Sequence, residues 1–422
     1  MSEKAKAILA VNGGPKAIQT PIPARHHFTE AEKAACIRVL DEAIAAGTAP
    51  TYGGSEEEAF CEEFAALLSD RKGYADAVNS GSTAVFVALR ALELPAFSEV
   101  IVPPFTDPGG IMSVVMANCI PVVADTSPGS FNMSLESIEA LTTERTSAIL
   151  ATHIAGEPAD MECICRFAKE KGIYVVEDCA QAHGAHSNGQ AVGTFGDIAA
   201  FSFMYSKHVC TGGQGGMVYT QNEALYWKIR QHSDRGKPFG LPSGASNCVA
   251  SLNFNMDSIH CAIGREQIKK IQVIANGRRA VANEIMANLA DLPMVRPIPL
   301  PEGAESSYWF FRLLLDFEKL SCDKRTFCAA LSAEGLGNSG EYALPFTYEW
   351  YPNRNVFGES GYPWASPLYT GDREKVFTLA DTPNACKAMH DTVILYPHEG
   401  WTKVNAKEAA NAIRKVCHAY AK

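Results

Sequence analysis

Between Gly73 and Thr220 the chain alternates between two hydrophobic patterns, and nothing else in its 422 residues constrains the fold as strongly. Short runs rich in Val and Ile read as strands: GYADAV from Gly73, EVIVPP from Glu99, CIPVVAD from Cys119 and SAILATHI from Ser147. GIYVVEDC from Gly172, IAAFSF from Ile198 and GGMVYT from Gly215 continue the series. Helical spacing fills the intervals Ser82–Leu94, Gly109–Asn118, Ser134–Leu141 and Pro158–Lys171. Strands that alternate with helices build βαβ units and a mainly parallel sheet. Runs apolar on both faces fit a sheet covered on each side. No helix separates the last two runs, so antiparallel pairing is expected there.

Beyond this region the organisation is coarser. Gly236–Ser246, rich in Gly, Pro and Ser, reads as a loop. One long helical pattern starts near Asp257 and runs to about residue 292. Then come a strand-like run, SYWFFRLLLDF from Ser307, and a helical stretch, Asp323–Glu334. The stretch Tyr348–Tyr369, rich in aromatics, Pro and Gly, reads as an ordered loop. The expected class is α/β, with four parts. These are an N-terminal segment (1–27), a large domain (28–256), a connecting long helix (257–292) and a smaller α+β C-terminal domain (293–422).

A net charge of -10 argues against a general affinity for nucleic acid or anionic membrane. The start, MSEKAKAILAVNGGPK, lacks the pattern of a signal peptide, and no run is long enough to span a bilayer. The 13 cysteines are an odd number, scattered and without C-x-x-C, and read as reduced thiols of a cytoplasmic protein. His183 and His186 form H-x-x-H, but without a further ligand cluster no metal site is assigned.

In open α/β sheets ligands bind at the carboxyl ends of strands. Four segments there carry chemistry, and each has an ordinary reading beside it. NSGST at Asn79–Thr83 suits a phosphate at a helix N-terminus, and alone reads first as a Ser/Thr cap. Asp178 ends a strand in VVEDCAQAHG, where a carboxylate can keep a pyridine nitrogen protonated or cap the next turn. Lys207 follows another strand in FSFMYSKHVCTGGQGG. A lysine buried there can form an imine, although alone it reads first as an exposed lysine before a turn. Asn253 in LNFNMD can offer an amide to a phosphate, or simply enter the next helix. No G-x-G-x-x-G follows a strand, which disfavours a nicotinamide cofactor.

The order and spacing of these segments decide between the readings. HIAGEPADM, VVEDCAQAHGA and FSFMYSKHVCTGGQGGMV together resemble the DegT/DnrJ/EryC1/StrS aminotransferases, which act on keto-sugars and keto-cyclitols. The resemblance runs from about Phe28 to the end. It implies pyridoxal-phosphate fold type I, the aspartate-aminotransferase-like architecture, with pyridoxal 5'-phosphate as cofactor. It implies Lys207 as the Schiff-base lysine and Asp178 as partner of the pyridine nitrogen. Gln181 then contacts the side of the ring hydroxyl. Ser202 and the amides of Gly81 and Ser82 form the phosphate cup, and Asn253 reaches the phosphate of a neighbouring subunit. The last role makes a homodimer with shared active sites part of the expectation.

Two departures stand out. Asp107 follows Phe105-Thr106 where the family has a ring-stacking aromatic, and Asn255 stands where its asparagine–aromatic–arginine run ends in arginine. Asp107 and His183 are the candidate substrate contacts. The expected reaction moves an amino group from a glutamate- or glutamine-like donor to a keto-sugar, keto-cyclitol or related ketone. A dehydratase branch of the family carries histidine at the lysine position. Here the lysine is kept, with His208 beside it. The alternatives are a dehydratase or aromatising enzyme like 3-amino-5-hydroxybenzoate synthase, or a non-catalytic cofactor-binding regulator.

Overall fold

In the computed structural model residues 8–70 and 73–422 are described. The reading of the amino terminus falls partly on residues 1–7, outside the described residues. After a single 3-10 turn, Ala10–Asn12, come two helices, α1 (Glu30–Ala45) and α2 (Ser55–Leu68). The alternating region follows: β1 (Tyr74–Val78), α3 (Gly81–Ala91), β2 (Glu99–Val102), α4 (Pro108–Met116) and β3 (Ile120–Val123). It continues with α5 (Leu135–Leu141), β4 (Thr146–Thr152), α6 (Met161–Lys171) and β5 (Tyr174–Asp178). A short hairpin, β6 (His186–Ser187) and β7 (Gln190–Ala191), precedes β8 (Ile198–Ser202), β9 (Gly216–Thr220) and α7 (Glu223–Ser233).

Among the described residues, seven strands form one sheet in the order β1-β9-β8-β5-β4-β2-β3. The pairs β2–β3, β2–β4, β4–β5 and β5–β8 are parallel. Strand β9 is antiparallel to both neighbours, β8 and β1, so it alone runs against the rest. That is the antiparallel pairing expected from the missing helix. Side chains alternate through the sheet with period two. Ile198 and Ala200 join the core beneath α3 and α6, while Ala199, Phe201 and Phe203 meet Phe60 and Phe64 of α2 on the other face.

The continuous helix expected over 257–292 is instead two helices, α8 (Ser258–Ile268) and α9 (Ile271–Ala287). The turn between them tightens: Lys270 N–H donates to Gln267 O at 3.0 Å. The side chains of Gln267 and Lys270 both reach the buried carboxylate of Glu32 in α1. A one-residue tightening barely disturbs apolar periodicity, so the pattern reads through it. Helix α9 then joins two cores. Its Ile274 packs with the α2 side of the large sheet, and Val281, Ala282 and Ile285 pack into a second core.

That second core lies on an antiparallel sheet, β10-β12-β14-β13, of β10 (Val295–Arg296), β12 (Phe311–Leu315), β14 (Thr392–Leu395) and β13 (Asn338–Ser339). Strand β11 (Ala304–Glu305) adds to the hairpin β6–β7. Helices α10 (Lys324–Ala333), α11 (Pro383–Asp391) and α12 (Lys403–Tyr420) complete this part. The stretch Tyr348–Tyr369 holds one 3-10 turn, Gly358–Ser360, and is otherwise irregular. Its Tyr351, Trp364 and Tyr369 are buried in the large core, and Tyr369 hydroxyl donates to Glu99 Oε1 at 2.9 Å.

A buried ion pair ties the two sheets. Arg312 of β12 donates through Nε and Nη2 to Glu157 at 2.9 and 2.6 Å, and through Nη1 to Gly129 O at 3.0 Å. Both side chains are sealed from solvent. Removing one partner strands the other charge in a dry interior, at a cost of about 3–5 kcal/mol. Glu157→Ala is therefore expected to lower the urea midpoint by that order. Glu157→Leu combined with Arg312→Met, which leaves no stranded charge, is expected to lose less. An unchanged midpoint for Glu157→Ala would contradict the tie.

Candidate active site

The carboxyl ends of β1, β2, β4, β5 and β8 share one edge of the large sheet, and the chemistry-bearing residues hang from it. Gly81 and Ser82 follow β1, Asp107 follows β2, Asp178 ends β5, Ser202 ends β8, and Lys207 lies on the loop beyond. These six line a single cleft of about 360 Å³, joined by Tyr205 and Gln214. Residues up to 126 positions apart in sequence thus meet because parallel strands end together.

Lys207 is 5% exposed, and its Nζ lies 3.7 Å from the centroid of the Trp309 ring. Burial lowers its pKa to about 8, against the opposing pull of Asp178 and Asp107. Burial also raises the carboxyl of Asp178, while the Ala180 N–H, at 3.0 Å from Oδ1, and Lys207 pull it back down. A dry site thus pushes both groups towards neutrality, and each charge supports the other.

The cradle is built by close approach. A Cβ on Gly81 would lie 2.5 Å from the Ser202 Cβ, and one on Gly109 would lie 2.1 Å from the Ser82 hydroxyl. Ser80 caps α3 by accepting from Thr83 N–H at 3.1 Å. The amides of Gly81 and Ser82 thus stand at the first turn, where an anion is favoured. Thr106 Oγ1 is buried with no hydrogen-bond partner among the described residues, and a Cβ on Gly110 would crowd it at 2.9 Å and stand 3.7 Å from Asp178 Oδ2. A phosphate-bearing aromatic aldehyde fits this set: small residues at an anion cup, a buried carboxylate and a lysine poised near neutrality.

The remaining candidates fall in different places. Gln181 is buried and braced, its Oε1 accepting from Ala155 N–H at 2.8 Å and its Nε2 donating to the Tyr342 hydroxyl at 2.7 Å. Asp107 opens into the cleft while Oδ1 caps α4 through Gly109 N–H at 2.9 Å. The neighbouring aromatic, Phe105, is turned away and stacks on Phe131 with centroids 4.0 Å apart. Asn253 is exposed, outside this cleft, and its Oδ1 accepts from Asn255.

His183 does not face the cleft. It is 1% exposed, wedged among Phe201, Phe203 and His208, and burial drops its pKa to about 3. This second candidate substrate contact thus sits in the aromatic layer behind the cleft rather than along its lining. Among the described residues one cluster has metal-ligand types, His153, Glu177 and Cys179. The His153 and Glu177 lone pairs are already used. His153 Nδ1 accepts from Ala159 N–H at 3.0 Å, leaving Nε2 to donate to Glu177 at 3.1 Å. The Glu177 oxygens take the N–H groups of Gly193, Phe195 and Gly196.

Trp309 and Tyr342 escape the sequence reading. Trp309 lies within a run read only as a strand, and Tyr342 just past a short strand. The one signal was their aromatic character, which is commonplace in a core.

The pattern that defines the DegT/DnrJ/EryC1/StrS aminotransferase family matches residues 30–400. The chain belongs to this family. It is 31% identical over 281 residues to a GDP-perosamine synthase of Vibrio cholerae, covering 67% of this chain and 75% of that protein. It is 35% identical over 292 residues to a UDP-N-acetyl-3-dehydro-alpha-D-glucosamine 3-aminotransferase of Acidithiobacillus ferrooxidans, covering 69% and 76%. An aminotransferase structure from Psychrobacter cryohalolentis superposes with a TM-score of 0.80 at 29% identity, over 95% of this chain and all of that one. The fold is therefore that of fold-type-I aminotransferases, an architecture and family strongly associated with pyridoxal phosphate. No described helix is long and apolar enough to cross a membrane.

The depressed Lys207 has a direct readout. At pH 8 about half of its amines are uncharged, against about 1 in 300 for an ordinary lysine. Its capture of salicylaldehyde, trapped by borohydride and read by mass, is expected to rise with pH and level off past about 8. The Asp107 charge favours the ammonium, so Asp107→Asn is expected to shift the inflection to lower pH. An inflection near 10 would contradict this environment.

Proposed function

We propose that this chain is a pyridoxal-phosphate aminotransferase. It moves an amino group from a glutamate- or glutamine-like donor to a keto-sugar, keto-cyclitol or related ketone. The observation that carries the reading is the shared cleft in which buried Lys207 and Asp178 face the Gly81–Ser82–Ser202 cradle. The relatives named for GDP- and UDP-linked amino sugars support a sugar acceptor.

Bound here, the cofactor supplies an electron sink for the pair left when the donor's α-carbon loses its proton. The chain's own residues do the rest. The amides of Gly81 and Ser82 and the hydroxyl of Ser202 bind the phosphate. Asp178 holds a proton at the ring nitrogen, and a carboxylate in a dry site does so more strongly than in water. Gln181, with one Nε2 hydrogen unused, orients the ring hydroxyl. Lys207 would hold the cofactor covalently through Nζ and, once freed by the donor, would take and return the proton at the substrate carbon. Burial, which depresses its pKa, keeps it a usable base near neutral pH. Trp309, its ring 3.7 Å from Nζ, packs against the ammonium and limits its wandering. Asp107, at the cleft wall, suits acceptor hydroxyls or an amine. In the same proposal Asn253, exposed on its own subunit, serves the phosphate of a second copy, and the working unit is a homodimer.

Purified protein given pyridoxal phosphate is expected to show the visible band of a lysine-bound cofactor, and glutamate or glutamine to bleach it. A keto-sugar or keto-cyclitol should then restore it. Lys207→Ala is expected to lose the band and full turnover. Asp178→Asn is expected to slow turnover by about 100-fold or more, the order of losing a buried ionic contact to a reacting group. Normal transamination by Lys207→Ala would sink the assignment. Release of water without amino transfer would instead point to the dehydratase alternative.

A further inference from the structure

Three segments far apart in sequence converge behind Lys207. Arg25 comes from the N-terminal strap, Arg278 from α9, and Glu399 from the loop between β14 and α12. Arg25 donates through Nη1 to Lys207 O at 2.8 Å and through Nη2 to His208 O at 2.6 Å, while its Nε meets Glu399 Oε1 at 2.9 Å. Arg278 donates through Nη1 to the carbonyls of Tyr308 and Trp309, both at 2.9 Å, while its Nε meets Glu399 Oε2 at 2.9 Å. Each oxygen of one carboxylate therefore holds one guanidinium. One guanidinium grips the main chain of the lysine; the other grips the main chain of the tryptophan under its ammonium.

We infer that Glu399 is a positioning residue for the proposed reaction, acting through Arg25 and Arg278 to fix the lysine backbone against the tryptophan backbone. The inference rests on the function proposed above. A four-carbon stem lets Nζ sweep widely, so its placement depends on where the two main-chain segments sit. The planar fork of arginine serves two carbonyls and a carboxylate at once, which an ammonium cannot do with the same geometry. Burial works against the Glu399 charge, but Arg278 and Arg25 outweigh it and hold the carboxyl below its usual range.

Two further contacts support the arrangement. His208 Nε2 donates to Ser307 O at 3.0 Å, tying the same two segments again. Gly277, inside α9, admits Glu399: a Cβ there would lie 2.9 Å from the Glu399 Cβ and 3.2 Å from its Cα. A mid-helix glycine weakens a helix, and here close approach of the carboxylate's own segment accounts for it.

The test uses Glu399→Gln, Arg25→Lys and Gly277→Ala in the holoenzyme. Glu399→Gln keeps the shape and removes the charge. Arg25→Lys keeps a charge opposite Glu399 and loses the fork. Gly277→Ala keeps every polar group and pushes the Glu399 segment away. Misplacing a reacting group by a fraction of an ångström is expensive in rate. The first two are expected to lower kcat by about tenfold or more with donor KM within about threefold, and Gly277→Ala to follow with a smaller drop. The circular dichroism of the visible band should change in all three, and capture of the cofactor by the apoprotein should slow. A purely structural brace would lower the melting temperature and leave kcat, the band's dichroism and the capture rate alone, and that result overturns the inference. If Glu399→Gln does not fold, the other two variants decide by the same criteria. A wild-type protein that takes up no cofactor overturns this and the proposed function together; an active wild type with unaffected variants overturns this alone.

Discussion

Everything at the cleft depends on how the end of β5 is held, and a buried carboxylate one residue before Asp178 holds it. Glu177 receives three backbone N–H groups, from Gly193, Phe195 and Gly196, and the Nε2 of His153. Each such hydrogen bond in a dry interior adds to the hold, and a buried carboxyl left without partners would be costly. Those contacts fix β5 to the loop entering β8 and to the end of β4. Because side chains alternate along a strand, anchoring Glu177 on one side presents Asp178 on the other. The same clamp spends the lone pairs that His153 and Glu177 would otherwise offer a metal beside Cys179.

From this anchor the charge balance of the cleft follows. Burial disfavours the ammonium of Lys207 and the carboxylate of Asp178 alike. Were either alone, the cost of a dry charge would neutralise it. Together, each charge pulls back against burial, and the Lys207 amine, its pKa at about 8, loses its proton far more readily than an ordinary lysine. Asp107 adds a second acidic group at the wall, biasing Lys207 back towards its charged form. Its place in the fold is also structural, since one oxygen caps α4.

How much of this was legible in the sequence depends on whether the signal is local. Strand runs showed because a sheet covered on both faces needs continuous Val and Ile, and all seven between Gly73 and Thr220 formed. The cleft's Gly81, Ser82, Asp178, Ser202 and Lys207 were readable for a related reason: each lies at or just past the end of a strand, and parallel strands end at one edge. The place of His183 was not readable, because nearness in sequence does not say which face of a loop a ring will fill. The break between α8 and α9 was hidden because Glu32, more than 200 residues earlier, supplies the contact that Gln267 and Lys270 share. Trp309, Tyr342, Arg25 and Glu399 were illegible in a stronger sense. Their roles arise only when the second sheet and the N-terminal strap are folded against the first, and no short-range pattern encodes that.

That division implies a two-sided site. The strand ends of the large sheet carry the groups that would bind and activate a cofactor. The second sheet and its loops carry Trp309 beside Nζ and Tyr342 beside Gln181. Correct geometry at Lys207 is thus a property of how the two sheets meet. The contacts that set this meeting are charged and buried: Glu157 with Arg312 at the sheet junction, and Glu399 with Arg25 and Arg278 behind the lysine. Apolar packing would hold the two parts together equally well but tolerates sliding, because dispersion is non-directional. A guanidinium fork against a carboxylate or a pair of carbonyls tolerates little, since its hydrogen bonds weaken steeply with angle. Buried ion pairs add little net stability over apolar substitutes. Their directional geometry gives a physical reason for them to lie where alignment matters, at the seam that places Trp309 and Tyr342 against the strand ends.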